Sequence, residues 1–140
     1  NANHLIAALP AYSGNYPEVT YNEFLGQAYF VRAYVFYKMA CRFGGVPLVT
    51  SEIDYPGEES KIDLPRASER ETWEQVLADF DQAAELLPVN PTFDGTANKY
   101  AALAFKAEAM LYAGSVAKYN ETVSGRLTGI GEKTGVREGP

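Results

Sequence analysis

A chain of 140 residues with 46% hydrophobic content is long enough for one domain with a sizeable core, which excludes wholesale disorder. Its net charge of −6 excludes a general nucleic-acid binder, which needs a basic face to neutralise phosphates, and equally a polybasic membrane-surface module. The single cysteine, Cys41, excludes an internal disulfide, and no run of about eighteen apolar residues is present to cross a bilayer.

The chain opens at Asn1 with neither an initiator Met nor a signal peptide and closes on a Gly-rich stretch, so the expectation is an internal fragment of a longer protein. Residues 2–9 read as the last turns of a helix. His4, the only histidine, has no metal or triad partner of its own kind and is expected to be exposed or capping. Residues 10–19 read as a loop, with Gly14, Asn15 and Pro17 as turn formers. Tyr12 and Tyr16 in it are candidate stacking residues for a ligand, against the blander reading that they seal a core edge.

The stretch from Phe24 to Leu48 organises the rest. At 100° per residue, Phe24, Ala28, Val31, Val35 and Met39 form an apolar stripe that Phe36, Ala40 and Phe43 widen. Phe30, Tyr34, Tyr37 and Cys41 line the other side. A helix apolar nearly all round is expected to be buried by several neighbours. Thr20 or Asn22 is expected to cap it, with Glu23 in the first turn. Gly44-Gly45 supplies the C-terminal stop and Pro47 prevents continuation. Arg32 lies near the apolar stripe, and a buried guanidinium needs a carboxylate or several carbonyls, so pairing with an acid from another helix is expected. Cys41, among Met39, Ala40 and Phe43, reads as a small buried hydrophobe.

Residues 44–67 form a long acidic connection that carries Tyr55, a third candidate ligand contact, and whose acids lack the spacing of a calcium loop. Ser68 and Glu71 make a capping box, S-x-x-E. Trp73, Val76, Leu77, Phe80, Ala84 and Leu87 then recur at helical spacing, with Glu74, Gln75, Asp79, Gln82 and Glu85 expected on the outer face and Pro88 ending the helix. Trp73 reads as a core anchor rather than a carbohydrate platform. After a loop over 89–95, Thr96 is expected to cap a long helix over 97–119. Its inner side reads as Ala101, Ala104, Ala107, Ala113, Gly114 and Ala117, small enough for a close antiparallel hairpin with the Trp73 helix. The glycines after residue 119 suggest an extended or disordered tail over 120–140, leaving 1–119 as a helical scaffold.

The fold class is all-α: four helical segments predict tetratricopeptide-like helical hairpins stacked side by side, joined by long irregular loops. Arg32-Ala33-Tyr34 on a helix ending Phe43-Gly44-Gly45-Val46-Pro47-Leu48 resembles the SusD/RagB family, the outer-membrane nutrient-binding lipoproteins of Bacteroidota. So do Arg66 and Ser68 followed by Trp73, Val76, Leu77, Asp79, Phe80, Ala83, Ala84 and Leu86-Leu87-Pro88. Lys99, Ala101-Ala102, Ala104, Lys106, Ala107 and Leu111-Tyr112-Ala113 resemble the helix that follows. The resemblance covers about residues 1–120. It implies a cell-surface lipoprotein, not an enzyme, that captures an oligosaccharide or peptide over a TonB-dependent transporter of the SusC type. The helices would be scaffold and the lipid anchor would lie outside this chain. No glycan site is carried over by the resemblance; Tyr12, Tyr16 and Tyr55 are read from the residues alone.

Catalytic signatures are missing. There is no phosphate-cradling glycine loop and no G-x-S-x-G elbow, and one His with one Cys excludes the usual zinc sites. No cofactor is expected. Acid pairs such as Asp79 and Asp81 or Glu58 and Glu59 lie on faces and loops expected to be solvated, unlike the carboxyl pair that a glycosidase sets across a cleft. The alternative to nutrient capture is a generic tetratricopeptide-like adaptor that grips a protein partner in its concave groove.

Overall fold

The structure, a computed structural model, describes residues 1–53, 57 and 64–122. Among these residues the regular elements are four α-helices and one 3₁₀ segment: α1 (Ala2–Ala8), the 3₁₀ turn pair Leu9–Asn15, α2 (Glu18–Phe43), α3 (Glu69–Leu86) and α4 (Lys99–Thr122). The expectation that places Tyr55 in a binding loop falls outside the described residues, as does the tail expectation from residue 123 onward.

Helix α2 begins earlier than the polar residues suggest. Pro17, with φ −55°, occupies the N-cap and Glu18 the first turn, so neither Thr20 nor Asn22 caps it. A proline is tolerated there because its missing N–H would have no partner in any case. Residues 10–15, expected as loop, are wound into the 3₁₀ segment Leu9–Asn15 with Pro10 in its first positions. At the far end Gly44 takes φ +70° and donates its N–H to the Ala40 carbonyl at 2.9 Å, the positive-φ stop that its lack of a Cβ permits.

The capping box of α3 forms as expected. The Glu71 N–H donates to Ser68 Oγ at 3.1 Å, and the Ser68 N–H donates to Glu71 Oε2 at 2.8 Å. For α4 the cap is Asn98, whose Oδ1 accepts from the Ala101 N–H at 2.8 Å. Thr96 instead turns its hydroxyl back onto the Phe93 carbonyl.

Cross-helix contacts set the directions. Gly26 meets Leu87, Arg32 meets Asp79 and Tyr37 meets Trp73, so α2 and α3 run antiparallel. Phe80 meets Phe105 and Trp73 meets Tyr112, so α4 runs antiparallel to α3 and parallel to α2. The main core lies between these helices: Ala33, Phe36, Tyr37, Ala40, Val46, Trp73, Val76, Phe80 and Ala109. Trp73 anchors it, 8% exposed, with its indole N–H donating to Glu69 Oε1. A second cluster around Ala83, Ala84, Leu87 and Ala102 closes the other end. There the Gly26 backbone approaches so closely that a Cβ on it would stand 2.8 Å from Leu87 Cγ.

Two apolar faces depart from expectation. On α2, Val31 (51% exposed), Val35 and Phe43 are open rather than buried, and the buried set is Ala28, Ala33, Phe36, Tyr37 and Ala40. On α4 the inner side is Ala102, Phe105, Ala109 and Tyr112, whereas Ala104, Ala107, Met110 and Leu111 face outward. Both faces are continuous apolar stripes without a covering element among the described residues, a pattern a solenoid shows wherever a further repeat packs on.

Candidate functional site

Arg32 is the polar node of the molecule. Its guanidinium grips the Asp79 carboxylate in two parallel bonds, Nε to Oδ2 at 2.8 Å and Nη2 to Oδ1 at 2.7 Å. Nη1 donates to Asn3 Oδ1 and to the Thr50 carbonyl, both at 3.0 Å, so one side chain ties α1, α2, α3 and the segment after α2. The pairing with an acid from another helix is as expected. That the acid is Asp79 corrects the outer-face assignment: Asp79 is buried, at 2% exposure. With both carboxylate oxygens and four of the five guanidinium N–H groups engaged inside the fold, this pair is structural.

Beside it an open groove of about 910 Å³ runs along α2, floored by Val31, Val35, Met39 and Phe43 and walled by Val46 and Val49. Apolar side chains at helical spacing along α2 make up most of its floor, the chemistry of a helix-packing seam, and Asn3, Arg32 and Arg66 also line it. His4, exposed as expected, lies near its end and pairs with Glu52 at 2.7 Å.

A different surface lies at the opposite end of α2. Tyr16, the last residue before Pro17, sets its ring edge-on to Phe24, with centroids 5.8 Å apart and planes at 87°. Phe24 in turn lies nearly parallel to Phe93 of the α3–α4 loop, at 6.1 Å and 12°. Tyr16 is 44% and Phe93 48% exposed. The loop carrying Phe93 is fastened on both sides by α2. Glu23, 1% exposed, accepts the Thr92 N–H on its two carboxylate oxygens at 2.9 and 3.2 Å. One turn later Gln27 donates to the Ala97 carbonyl at 2.6 Å and accepts the Ala97 N–H at 3.2 Å. Gly95, at φ +82°, makes the turn, and the Thr96 N–H and hydroxyl both donate to the Phe93 carbonyl.

Of the sequence-predicted contacts, then, the structure draws Tyr16, just past the 3₁₀ segment, into an aromatic cluster and leaves Tyr12 exposed on that segment. Phe93 was missed. Its sequence signal is faint: one aromatic in the polar run Asn90-Pro-Thr-Phe-Asp-Gly95, where apolar periodicity has no meaning. Glu23, expected to serve the first turn of the helix, is instead the buried fastener of that loop.

Among the described residues no group of three or more His, Cys, Asp or Glu is placed to hold a metal ion. Among the described residues two acid–base groups depart clearly from their ordinary behaviour. The buried Tyr37 hydroxyl is pushed well up, first by burial and then by the Glu108 carboxylate that it donates to at 2.8 Å. Glu71 is held below the usual carboxylate range by the Ser68 backbone N–H and, secondarily, its hydroxyl. The first is core packing and the second is a helix cap.

Antiparallel hairpins stacked with their core between successive helices define a tetratricopeptide-like helical scaffold. Comparison with known proteins places it further. The family described as "Starch-binding associating with outer membrane", SusD-like, matches residues 2–111. SusD-like protein P38 of Formosa agariphila is 36% identical over 99 residues, covering 69% of this chain and 19% of that protein. A SusD-like protein of Bacteroides fragilis superposes with a TM-score of 0.70 at 28% identity, over 82% of this chain and 22% of the other. A SusD superfamily protein of Bacteroides vulgatus shares the fold, with a TM-score of 0.70 at 20% identity over 92% of this chain and 28% of the other. The chain belongs to the SusD-like family. It spans about a fifth of the length of the curated relatives that it matches.

Proposed function

We propose that this chain is scaffold from a glycan- or nutrient-capturing component of the bacterial outer membrane, working by non-covalent binding beside a TonB-dependent transporter. The observation that carries this reading is the family match over residues 2–111, reinforced by the same helical-hairpin fold in SusD-like structures. No helix among the described residues is long and apolar enough to cross a membrane. Attachment at the cell surface through a lipid anchor outside this chain is consistent with that. The protein is proposed to be a binder and not an enzyme, because the buried acids among the described residues are each engaged by the fold: Asp79 by Arg32, Glu23 by the Thr92 N–H and Glu69 by the Trp73 indole. Tyr12 on the 3₁₀ segment and Tyr16 just after it are proposed ligand contacts, with Tyr55 a third in the connection after α2.

Affinity purification of the tagged full-length protein from its native outer membrane tests the transporter half of the proposal. Co-purification of a TonB-dependent barrel is the expected result, and purification free of any such barrel contradicts it. Incubation with polysaccharide tests the other half. No release of reducing ends is expected, and sustained turnover overturns the non-catalytic reading.

A further inference from the structure

We infer that Phe93, stacked on Phe24 and flanked by Tyr16, is a preorganised platform for a pyranose ring of an uncharged glycan. The inference rests on the glycan-capture reading and adds a place and a ligand class to it.

The loop over residues 92–97 is held as few exposed loops are. Glu23 and Gln27 lie one helical turn apart on α2 and secure the backbone at Thr92 and Ala97, on either side of Phe93. A buried carboxylate serves as one of the two fasteners, a desolvation cost that the fold accepts only where its hydrogen bonds repay it. Yet the side chain this framework positions has a ring nearly half open to solvent. Were the loop present only to close the core edge, the phenyl group would point inward and its fasteners would be redundant. Instead the ring lies nearly parallel to Phe24 while the residue stays 48% exposed.

The face of an aromatic ring is the negative pole of its quadrupole, and the C–H bonds on one side of a pyranose carry the complementary partial charge. A ring already fixed in place loses little conformational freedom when a sugar lies down on it, which is how preorganisation converts contact area into affinity. The Tyr16 hydroxyl, on the neighbouring ring, is a donor and acceptor for sugar hydroxyls.

Charge selects among glycans. Residues 10–31 and 71–98, which supply the platform, contain no Lys or Arg, whereas Glu18 and Asp94 adjoin it in sequence and are both exposed. Two exposed carboxylates near Tyr16 and Phe93 in sequence, with Lys99 the first cation after the loop, disfavour uronate and sulfate groups and leave neutral hexopyranose chains as the ligand class.

The test is affinity electrophoresis of the full-length protein through gels cast with graded neutral polysaccharides, and separately with uronate-rich and sulfated ones. Phe93→Ala is run beside wild type. Phe93→Leu keeps the apolar volume without the ring, and melting curves for both variants register any loss of folding. The expected result is retardation of wild type by at least one neutral glycan, weakened roughly tenfold in Phe93→Ala and in Phe93→Leu at unchanged melting temperature. Slowed amide exchange over residues 92–97 on adding that glycan is also expected. Wild type and both variants equally retarded overturns the platform and leaves family-level glycan capture standing. Retardation confined to the anionic polysaccharides overturns the ligand class. Wild type retarded by no glycan overturns the glycan reading itself, and this inference with it.

Discussion

Arg32→Ala is the substitution whose effect the structure fixes most tightly. The side chains of Arg32 and Asp79 are 11% and 3% exposed, so neither charge has water to fall back on. The guanidinium makes four hydrogen bonds, two to Asp79, one to Asn3 and one to the Thr50 carbonyl, and lies 5.3 Å from the centroid of the Tyr29 ring. Removing it strands the carboxylate in the interior, which costs about 3–5 kcal/mol for a buried pair broken on one side. For a domain of this size that corresponds to a fall in melting temperature of roughly 10–20 °C. Replacing both partners together, as Arg32→Met with Asp79→Leu, removes the stranded charge, and the double variant is expected to recover most of the loss. Melting followed by circular dichroism on wild type, both single variants and the double completes the cycle. An Arg32→Ala melting temperature within about 2 °C of wild type, well under a 1 kcal/mol effect, would refute the reasoning.

Other consequences are equally direct. At Gly26 a Cβ would stand 2.8 Å from Leu87 Cγ and 3.2 Å from Leu86 Cβ, with Leu87 buried and unable to swing aside. Gly26→Val is therefore expected to cost about 2 kcal/mol or more despite the better helix propensity of valine, and an unchanged denaturation midpoint would show that α2 and α3 can separate. The raised Tyr37 pKa means that its contribution to stability is complete below the unfolded value of about 10 and is lost as pH rises through the folded value. Tyrosinate absorbance should show one residue ionising only as the protein unfolds, and Tyr37→Phe should abolish that last step. The lowered Glu71 pKa has the opposite sign: its contribution is present above the unfolded carboxylate value and is lost as pH falls through the folded one. Ser68→Ala should cost about 1 kcal/mol at neutral pH, whereas Glu71→Gln should flatten the acid limb of the stability profile, and an acid limb in Glu71→Gln identical to wild type would contradict the capping assignment.

Legibility in the sequence followed the physics of each signal. The capping box and the Trp73 face were readable because both are local: the donor, the acceptor and the spacing sit within one or two turns. The Arg32 pairing was readable because a guanidinium beside an apolar stripe demands an acceptor. Its partner was not, since an acid on an amphipathic helix looks outward until the helix facing it is known, and Asp79 turns in only because Arg32 faces it. The apolar stripe through Val31, Val35 and Phe43 was real but proved open. Periodicity shows that a face is apolar, whereas the element that covers it need not lie among the same residues. The small residues of α4 misled for a related reason, because alanine fits both a tight interface and an exposed flank. The start of α2 was misplaced because Thr20 and Asn22 are good capping residues, while a proline N-cap leaves almost no mark. The aromatic edge was half visible: Tyr16 stood out in its loop, but Phe93 joins it only through the return of α3, across about seventy residues of sequence, a juxtaposition that no local pattern encodes.

The proposal that these helices belong to a glycan-capturing protein is tested most directly by affinity electrophoresis of the full-length wild-type protein across a broad panel of polysaccharides. The account predicts marked retardation by at least one neutral glycan relative to a gel without polysaccharide, relieved by the free oligosaccharide of the same linkage. Unretarded migration through every member of the panel would contradict it.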